Sequence, residues 1–444
     1  DRLKILEKKE LRCRLKHNIV PTIGALLVNN ISVETLKNAP LSHYQFVLEN
    51  YKWFDNFSPA YFTGYNVHSF DIQFYYRMLF KNLLPNWYQT NTNGNKIHDL
   101  LPHIRVAKLL NRNVIATKLN AKGNDSFKLA DIAEVNNFNN GIAHTSIVDC
   151  LNTIELAKRI KDVTPDIWQA SLTTAHKRDT EALINKEKVF STYEYFYSRA
   201  RCFVNKYLFN HPVYNWAICW DLKQHPKDYL ELDYSGLVNA LQKAPKPIRT
   251  VKQNKNPLIL SKDYGLKTEP YSEIGLNEIM ERAKLLDENP KFVNSISSIL
   301  EEQAQSKQDF DQIPLLHEET LYAGGINIPQ SDKLNMKKFH EVDLKGKLSL
   351  VEKFTQERFS YFAKCILYEE YPKEELPETI YNEMHRYFAK RLTSLNNEKW
   401  ETFASFYNEL DNQRKKFEED ESKLQILEGY NNYVENMEKR FINA

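Results

Sequence analysis

The sequence has few cysteines and no long apolar run, and each absence excludes a class of protein. Its five cysteines are widely scattered and never form a Cys-x-x-Cys pair, so neither a disulfide framework nor a zinc–thiolate site is indicated. The longest apolar runs, such as Ala25–Val28, fall far short of the roughly 20 residues that a membrane-spanning helix needs. We therefore expect a protein of the reducing cytoplasm that does not insert into a membrane.

Net charge is also nearly absent, at +2 over 444 residues, but the charges are unevenly distributed. Residues 1–260 contain 35 lysines and arginines against 23 aspartates and glutamates, a net +12. The remaining residues contain 25 against 35, a net −10. A basic first part favours a polyanionic partner such as nucleic acid, and a chance distribution of solvated charges is the alternative.

The composition is that of a folded chain, because hydrophobic residues make up 42% and charged residues 27% of the sequence. This balance excludes a disordered, collagen-like or low-complexity protein. A chain of 444 residues is too long for one typical core, so we expect about two to four domains.

Three segments of the chain differ in their hydrophobic pattern. Residues 1–164 mix short β-rich runs, such as Gly24–Val28, with amphipathic helical stretches, which is typical of an α/β domain. Residues 165–325 contain short aromatic and β-branched runs that predict a small barrel or sandwich. Residues 326–444 are mainly helical in period. The predicted helices of the first segment are Asp71–Lys81, Ile97–Leu110 and Ser146–Ile160. The predicted strands of the second segment are Val189–Tyr197, Trp216–Leu222, Tyr229–Leu232, Pro247–Val251 and Pro257–Leu260.

The first motif that could carry chemistry is Thr63–Asp71, directly before a predicted helix. Gly64 and Asn66 favour a loop, and Asp71 lies where the helix begins. A carboxylate at that point is stabilised by free amide groups and by the helix dipole. Taken alone, Asp71 is therefore better explained as a helix cap than as a metal ligand.

The second motif is His144 followed by Asp149, at the start of a later predicted helix. A spacing of five residues corresponds to about 140° around a regular helix, so the two side chains would not share a face. They converge only if His144 lies in the loop before the helix, which the asparagine-rich stretch Asn136–Gly141 favours. A loop histidine that faces solvent is the alternative.

In this order, the two motifs resemble the DEDDh group of 3′-to-5′ exonucleases, and the chain resembles more closely the exonuclease I family of bacterial single-strand DNA exonucleases. Gly64–Val67 with Phe70 and Asp71 is similar to the second motif of that family, and His144-x4-Asp149 to its third. Other segments that resemble the family are Asp99–Leu101, Ser126–Leu129, Trp216–Leu222, Asn256–Leu260 and Phe354–Arg358.

The resemblance implies a fold of three domains. They are a ribonuclease H-like α/β exonuclease domain over residues 1–164, a small β-barrel (Src-homology-like) domain within residues 165–325, and an all-helical domain over residues 326–444. This layout agrees with the three segments that the hydrophobic pattern separates.

The resemblance also implies a chemistry, namely hydrolysis of single-stranded DNA from its 3′ end to 5′-mononucleotides, in DNA repair and recombination. Asp71 and Asp149 would help to bind two divalent ions, Mg²⁺ or alternatively Mn²⁺, since carboxylates suit hard cations. His144 would accept the proton of the attacking water as general base.

One element of the family pattern is missing, the Asp-x-Glu pair on its first strand. The single Asp-x-Glu of this sequence, Asp179–Glu181, comes after the other motifs and is expected to be a surface pair. Pro21–Ile31 instead resembles the segment that follows the second or third strand. We therefore expect a few tens of residues of the natural protein to precede Asp1, and the 444 residues alone to be impaired in catalysis.

Nucleic-acid contacts are predicted at Asn66, Lys128, Arg199 and Arg201. Lys128 corresponds to a basic residue of the family, and the two arginines lie beside aromatic residues that could stack on bases. The alternatives are a plain surface lysine and an ordinary sheet surface. The resemblance further implies a monomer whose partners are single-stranded DNA and the acidic C-terminal tail of the single-strand DNA-binding protein.

Two other functions remain open at this point. One is a catalytically inactive module that binds single-stranded DNA or recruits a repair partner, because the first metal-binding motif is missing. The other, an RNA-directed nuclease of the same superfamily, is disfavoured because such relatives usually lack the barrel and helical domains.

Overall fold

The computed structural model describes residues 3–138, 145–196, 199–308, 315–322 and 328–442. In the first part of the chain the strands are β1 (Tyr61–Gly64) and β2 (Lys96–Asp99). The helices of this part are α1 (Ile23–Asn29), α2 (Val33–Lys37), α3 (His43–Asp55), α4 (Asp71–Lys81), α5 (Leu100–Leu110), α6 (Leu129–Val135), α7 (Ser146–Val163), α8 (Pro165–Thr173) and α9 (Lys177–Glu187).

The two strands β1 and β2 form a parallel pair in which Tyr61 lies opposite Lys96 and Gly64 opposite Asp99. Their carboxyl ends therefore lie side by side. The loop after β1 leads into α4, and β2 passes directly into α5, whose N-cap is Asp99. In α/β proteins, ligands bind at the carboxyl ends of parallel strands, so this edge is where a site is expected.

Two separate cores anchor the helices that begin at this edge. The buried face of α4, which includes Tyr76 and Phe80, packs in one cluster with Phe362 of the C-terminal part. Helices α5 and α7 pack in another cluster, to which Leu258 and Leu260 of the central part also contribute. The edge is thus supported from both of the other parts of the chain.

The central part contains a five-stranded antiparallel sheet in the order β6-β5-β4-β3-β7. A bulge interrupts the pairing of β4 with β5 between Tyr207 and Phe209. Trp220, Leu237 and Ile296 belong to the core between this sheet and its helices. The strands are β3 (Val189–Phe196), β4 (Arg199–Asn210), β5 (Ala217–Asp221), β6 (Ile248–Val251) and β7 (Ile259–Ser261). The helices are α10 (Lys227–Leu230), α11 (Tyr234–Gln242), α12 (Lys262–Gly265), α13 (Tyr271–Ile274), α14 (Leu276–Glu288) and α15 (Pro290–Gln308).

The C-terminal part is helical throughout its described residues. Its core contains Phe388, Phe406 and Tyr430 together with Val20 and Ile23 from the start of the chain, so both ends of the described chain share one core. The helices are α16 (Gln330–Phe339), α17 (Leu344–Val351), α18 (Glu357–Glu370), α19 (Glu378–Leu392), α20 (Phe403–Lys416) and α21 (Glu421–Phe441). Within the described ranges, no helix combines the length and the hydropathy that a membrane span requires.

Two of the predicted strands lie in helices instead. Gly24–Val28 lies in α1, because its alanine and leucines favour helix and Asn30, at φ 50°, closes the helix by donating its N–H to Leu26 and Leu27. Tyr229–Leu232 belongs to α10 and the turn after it, since Pro226 begins a short helix there.

Candidate metal and nucleic-acid site

Asp71 and Asp149 each lie in the first turn of a helix, as the sequence predicts for both. Asp71 is the first residue of α4, and Phe70 holds the N-cap position that the alternative interpretation would give to Asp71. Asp71 is exposed, whereas Asp149 is partly buried. Neither carboxylate is deep in a core, so both are accessible to a ligand.

The two carboxylates lie within electrostatic reach of each other. Partial burial, and next the negative charge of Asp149, raise the pKa of the Asp71 carboxyl. The neighbouring Cys150 thiol reports the same cluster, because burial and the charges of both aspartates raise its pKa. Two like charges at short range disfavour ionisation, and a cation between them relieves that repulsion. Two carboxylates in this position are candidates for ligands of a hard cation.

His144, the predicted general base, lies outside the described residues. Asp149 follows it by five residues and is described. The position of the imidazole relative to the two aspartates stays a prediction.

The loop between β1 and α4 has a defined conformation that carries Asp71. Asn66 has φ 62°, in the left-handed region that asparagine tolerates better than most residues. A Cβ added at Gly64 would lie 2.9 Å from Cβ of Val67, so only glycine fits this close approach. The loop therefore requires the residues that the sequence supplies at these two positions.

Asp99 holds this loop in place, a role that the sequence analysis missed. Its carboxylate is buried and accepts the backbone N–H of Asn66 at 2.8 Å and of His68 at 3.1 Å. It also accepts the N–H of Leu101 at 3.1 Å and so caps α5. An aspartate before a helix predicts the cap, but the two bonds to the loop follow from the pairing of β1 with β2.

Asn256 connects the same point to the central part of the chain. Its buried side chain accepts the backbone N–H of Asp99 at 2.9 Å and donates to the carbonyl oxygen of Ser171 at 2.8 Å. The resemblance marked Asn256–Leu260 only as a similar segment. The structure gives this asparagine a bridging role between the central part and the site.

An aromatic and cationic cluster lies beside the loop. The hydroxyl of Tyr65, next to Asn66, donates to the carbonyl oxygen of Phe127 at 2.6 Å. The guanidinium of Arg105 lies 3.7 Å from the ring centroid of Tyr195 on β3. Burial lowers the pKa of Arg105, and its Nε is buried without a hydrogen-bond partner. The role of Arg105 could not be predicted from the sequence, because a single arginine on a helix gives no signal of stacking.

Three of the predicted nucleic-acid residues lie along one connected path from this loop. Lys128 follows Phe127, is exposed and provides the N-cap residue of α6. Arg199, exposed at the start of β4, donates from Nε to Oδ1 of Asn124 at 3.0 Å. Arg201 lies two residues further along β4, is exposed and, since side chains alternate along a strand, is on the same face as Arg199. The structure thus brings Lys128 and Arg199 to neighbouring segments.

The donor set at Asp71 and Asp149 fits a magnesium ion. This ion is commonly held by one or two carboxylates, with waters and substrate phosphates as its other ligands. Among the residues that the structure describes, no group of three or more histidines, cysteines, aspartates or glutamates could hold a metal. Asp179 of the Asp-x-Glu pair bonds Lys96 at 2.7 Å on the surface, as predicted, and is not part of the site.

Comparison with known proteins identifies the fold. No family model matches the chain. Exodeoxyribonuclease I of Escherichia coli is 24% identical over 311 residues, which cover 67% of this chain and 65% of that protein. Exodeoxyribonuclease I of Buchnera aphidicola from Acyrthosiphon pisum is 26% identical over 173 residues, covering 39% of this chain and 42% of that protein. The matches thus span less than two thirds of these relatives' own length.

The similarity of structure extends over nearly the whole chain. E. coli exonuclease I in complex with a dA16 oligonucleotide aligns with a TM-score of 0.79 and 20% identity, covering 98% of this chain and 93% of that one. Exonuclease I of Methylocaldum szegediense aligns with a TM-score of 0.79, 18% identity and the same coverage. The predicted resemblance and fold class are confirmed, and the fold is that of exonuclease I.

Proposed function

We propose that this chain, which has the fold of exonuclease I, acts as a metal-dependent 3′-to-5′ exodeoxyribonuclease on single-stranded DNA. The observation that carries the proposal is the pair Asp71–Asp149, two like charges held together at the first turns of two helices. Carboxylates are ligands that a hard divalent cation prefers, and phosphodiester hydrolysis is a reaction that uses such a cation.

The proposed metal is a divalent cation. Mg²⁺ is the preferred candidate and Mn²⁺ is the alternative. Asp71 and Asp149 would hold it, and when bound it would stabilise charge on the oxygens of the phosphodiester. Asp99 orients the loop that presents Asp71, through its bonds to Asn66 and His68. His144 would accept a proton from water, because an imidazole accepts a proton at neutral pH.

The DNA strand would lie along the path from Asn66 past Lys128 to Arg199 and Arg201. All four are exposed, and three are cationic. The basic charge of residues 1–260 supports a strand of phosphates on this side. The three domains are proposed to comprise residues 1–164, 165–325 and 326–444.

The partners follow from the solved relatives. E. coli exonuclease I has been solved with oligonucleotides, and a further structure is described as SSB/exonuclease I with the inhibitor CFAM. For this chain we propose single-stranded DNA as substrate, the C-terminal tail of the single-strand DNA-binding protein as partner, a monomeric state, and a cytoplasmic role in DNA repair and recombination.

Binding of an oligonucleotide with a free 3′ end, followed by fluorescence anisotropy, tests the metal pair without requiring turnover. Mg²⁺ should tighten binding by the wild-type chain, and Asp71→Asn and Asp149→Asn should each remove the Mg²⁺-dependent part. Asp179→Asn is the matched control, because that carboxylate bonds Lys96 on the surface. Equal Mg²⁺ responses in all four proteins would refute the assignment of the metal pair.

Hydrolysis is the second readout, measured on a protein that carries the Asp-x-Glu pair of the family pattern. Asp149→Ala should abolish release of mononucleotides from the 3′ end while metal-free binding is retained. Binding without hydrolysis by a chain that carries all the predicted motifs would instead support the inactive DNA-binding module. Unchanged digestion by the Asp149→Ala variant would contradict the catalytic assignment.

A further inference from the structure

A cavity of about 240 Å³ lies away from the proposed active site, between the end of α4 and helices α18 and α19. Aromatic side chains of Tyr361, Phe388 and Trp400 form part of its wall. The charged side chains that line it are Lys16, Lys81, Glu318, Glu369, Arg391 and Glu401. A cavity of about 150 Å³ is enough to hold benzene, so this one has room for a small organic molecule or ion.

Two ion pairs on the cavity wall are complete. Lys16 Nζ lies 2.7 Å from Oε2 of Glu369. Arg391 donates from Nη1 to Oε1 of Glu318 at 2.7 Å, and the hydroxyl of Tyr361 donates to the same oxygen at 2.9 Å. These pairs neutralise four of the six charged groups and leave Lys81 and Glu401, whose Oε1 accepts a hydrogen bond from the hydroxyl of Ser405 at 2.8 Å.

Lys81, in the last turn of α4, forms no direct ion pair within the described part of the chain, and the carboxylates of Glu318 and Glu369 act on its charge only at longer range. Its Nζ has neither a hydrogen-bond acceptor nor a carboxylate oxygen within 4.0 Å there. Burial, and next the nearby positive charge of Lys16, lower the pKa of Lys81. Lys81 is half-buried, and an ammonium partly removed from water is destabilised, so an anion in the cavity would stabilise it.

Two acceptors at the same cavity also lack partners. Oε2 of Glu318 and Oδ1 of Asn18 are buried, and neither receives a hydrogen bond from the described residues. Both residues line the cavity. Buried acceptors of this kind are normally satisfied, so the cavity lacks a hydrogen-bond donor for these two atoms.

We infer that this cavity is a binding site for hydrogen phosphate or a small phosphate monoester, with Lys81 facing its anionic oxygens and Glu318 accepting its P–OH proton. A protonated phosphate group provides both an anion and a hydrogen-bond donor. Sulfate has the same shape and charge but carries no proton at neutral pH, so its oxygens would face the Glu318 carboxylate unfavourably. The aromatic wall would contact the organic group of a monoester.

Thermal unfolding at constant ionic strength tests the site with inorganic phosphate and sulfate as probes. Phosphate should raise the melting temperature of the wild-type chain, because a ligand that binds only the folded state stabilises it. The dissociation constant of sulfate, measured by calorimetry, should be at least about tenfold larger than that of phosphate. This is the loss of affinity expected when a buried acceptor stays unpaired. Ordered water alone in the cavity predicts no phosphate response, and that result would overturn the inference.

Substitutions in the cavity wall test whether phosphate binds in this cavity. Lys81→Met should remove the phosphate response, whereas Lys284→Met, at an exposed lysine of α14, should keep it. Glu318→Gln should bind sulfate and phosphate with similar affinity, since an amide can donate to sulfate. A phosphate response that persists in Lys81→Met would place binding elsewhere, and Lys81→Gln provides the same test if the methionine variant does not fold. An unchanged preference for phosphate in Glu318→Gln would refute the role of the P–OH donor.

Discussion

Asp99 shows how one buried carboxylate controls the geometry of the proposed site. It accepts three backbone N–H groups, two from the loop before Asp71 and one from α5. Asp99→Asn replaces one carboxylate oxygen by an amide and removes the charge from the remaining bonds. We expect a loss of about 2 kcal/mol in the free energy of unfolding, measured by urea denaturation, and weaker Mg²⁺-dependent DNA binding.

The matched control for this variant is Asp233→Asn. Asp233 caps α11 by accepting the N–H of Gly236 at 2.8 Å, and it lies on the surface of the central part. It should lose about 1 kcal/mol of stability and retain the Mg²⁺ response. If Asp99→Asn also retains the full Mg²⁺ response, Asp99 serves only as a helix cap.

His98 makes the stability of this region depend on pH. Burial lowers the pKa of His98 to about 4, from an ordinary value near 6.5, and its Nε2 lies 2.8 Å from the hydroxyl oxygen of Ser171. The folded state therefore favours the neutral ring, and this contribution is fully present above pH 6.5 and is lost as the pH falls towards 4. The loss is about 1.4 kcal/mol per pH unit for each such histidine.

Unfolding measured between pH 7 and pH 4.5 tests this contribution. His98→Gln should lose stability less steeply with falling pH than the wild type, although it starts from a lower value because the contact with Ser171 changes. His225→Gln, at a histidine near Glu278 on the surface, should follow the wild-type slope. Parallel slopes in all three proteins would contradict the role of His98.

The site residues show what could be predicted from single positions. The two aspartates follow from the start of each predicted helix, but their proximity comes only with the resemblance to exonuclease I, because they are far apart in sequence. Asp99 could be predicted as a cap and not as the support of Asn66, since its partners come from another strand. Arg105 could not be found at all, because Tyr195, on which it stacks, belongs to the central sheet.

The loop between β1 and α4 depends on a glycine, which a pair of alanine substitutions can test. In Gly64→Ala the new Cβ would meet Cβ and Cγ2 of Val67 at 2.9 and 3.0 Å, so the loop has to shift. We expect lower stability and loss of the Mg²⁺-dependent DNA binding measured by anisotropy. Gly24→Ala is the control, because nothing lies within 4 Å of its new Cβ within α1.

The control variant Gly24→Ala is expected to change stability in the opposite direction. Alanine within a helix is favoured over glycine by about 0.5–1 kcal/mol, so Gly24→Ala should raise the free energy of unfolding. Binding should be unchanged. If both substitutions behave alike, the close approach of Gly64 to Val67 does not determine the loop.

Helices with a clear amphipathic period were predicted well, and strands that depend on distant partners were not. The predicted bounds of α4, Asp71–Lys81, agree with the structure, and α7 begins at Ser146 as predicted. The longest strand, Arg199–Asn210, was not predicted. It is stabilised by pairing with β3 and β5 on its two sides, partners that a local pattern does not reveal.

The central and C-terminal parts of the chain pack against the helices that carry the proposed site, so the geometry of the site depends on residues outside its own segment. Asn256 links the central part to Asp99, and Leu258 and Leu260 enter the core of α5 and α7. Helix α4 is anchored by Phe362 of the C-terminal part. The sequence predicts three segments by their periods, but these long-range contacts lie beyond any local pattern.

The uneven charge of the chain predicts that its affinity for single-stranded DNA falls steeply with salt. Each phosphate contact adds about −0.7 to the slope of log affinity against log salt concentration. Lys128→Gln and Arg199→Gln, both at exposed cations of the basic part, should each make the slope shallower by about 0.7. Lys415→Gln, exposed in the acidic helical part, should leave it unchanged. A flat salt response of the wild type would contradict a phosphate path along β4, because contacts with bases alone release few counterions.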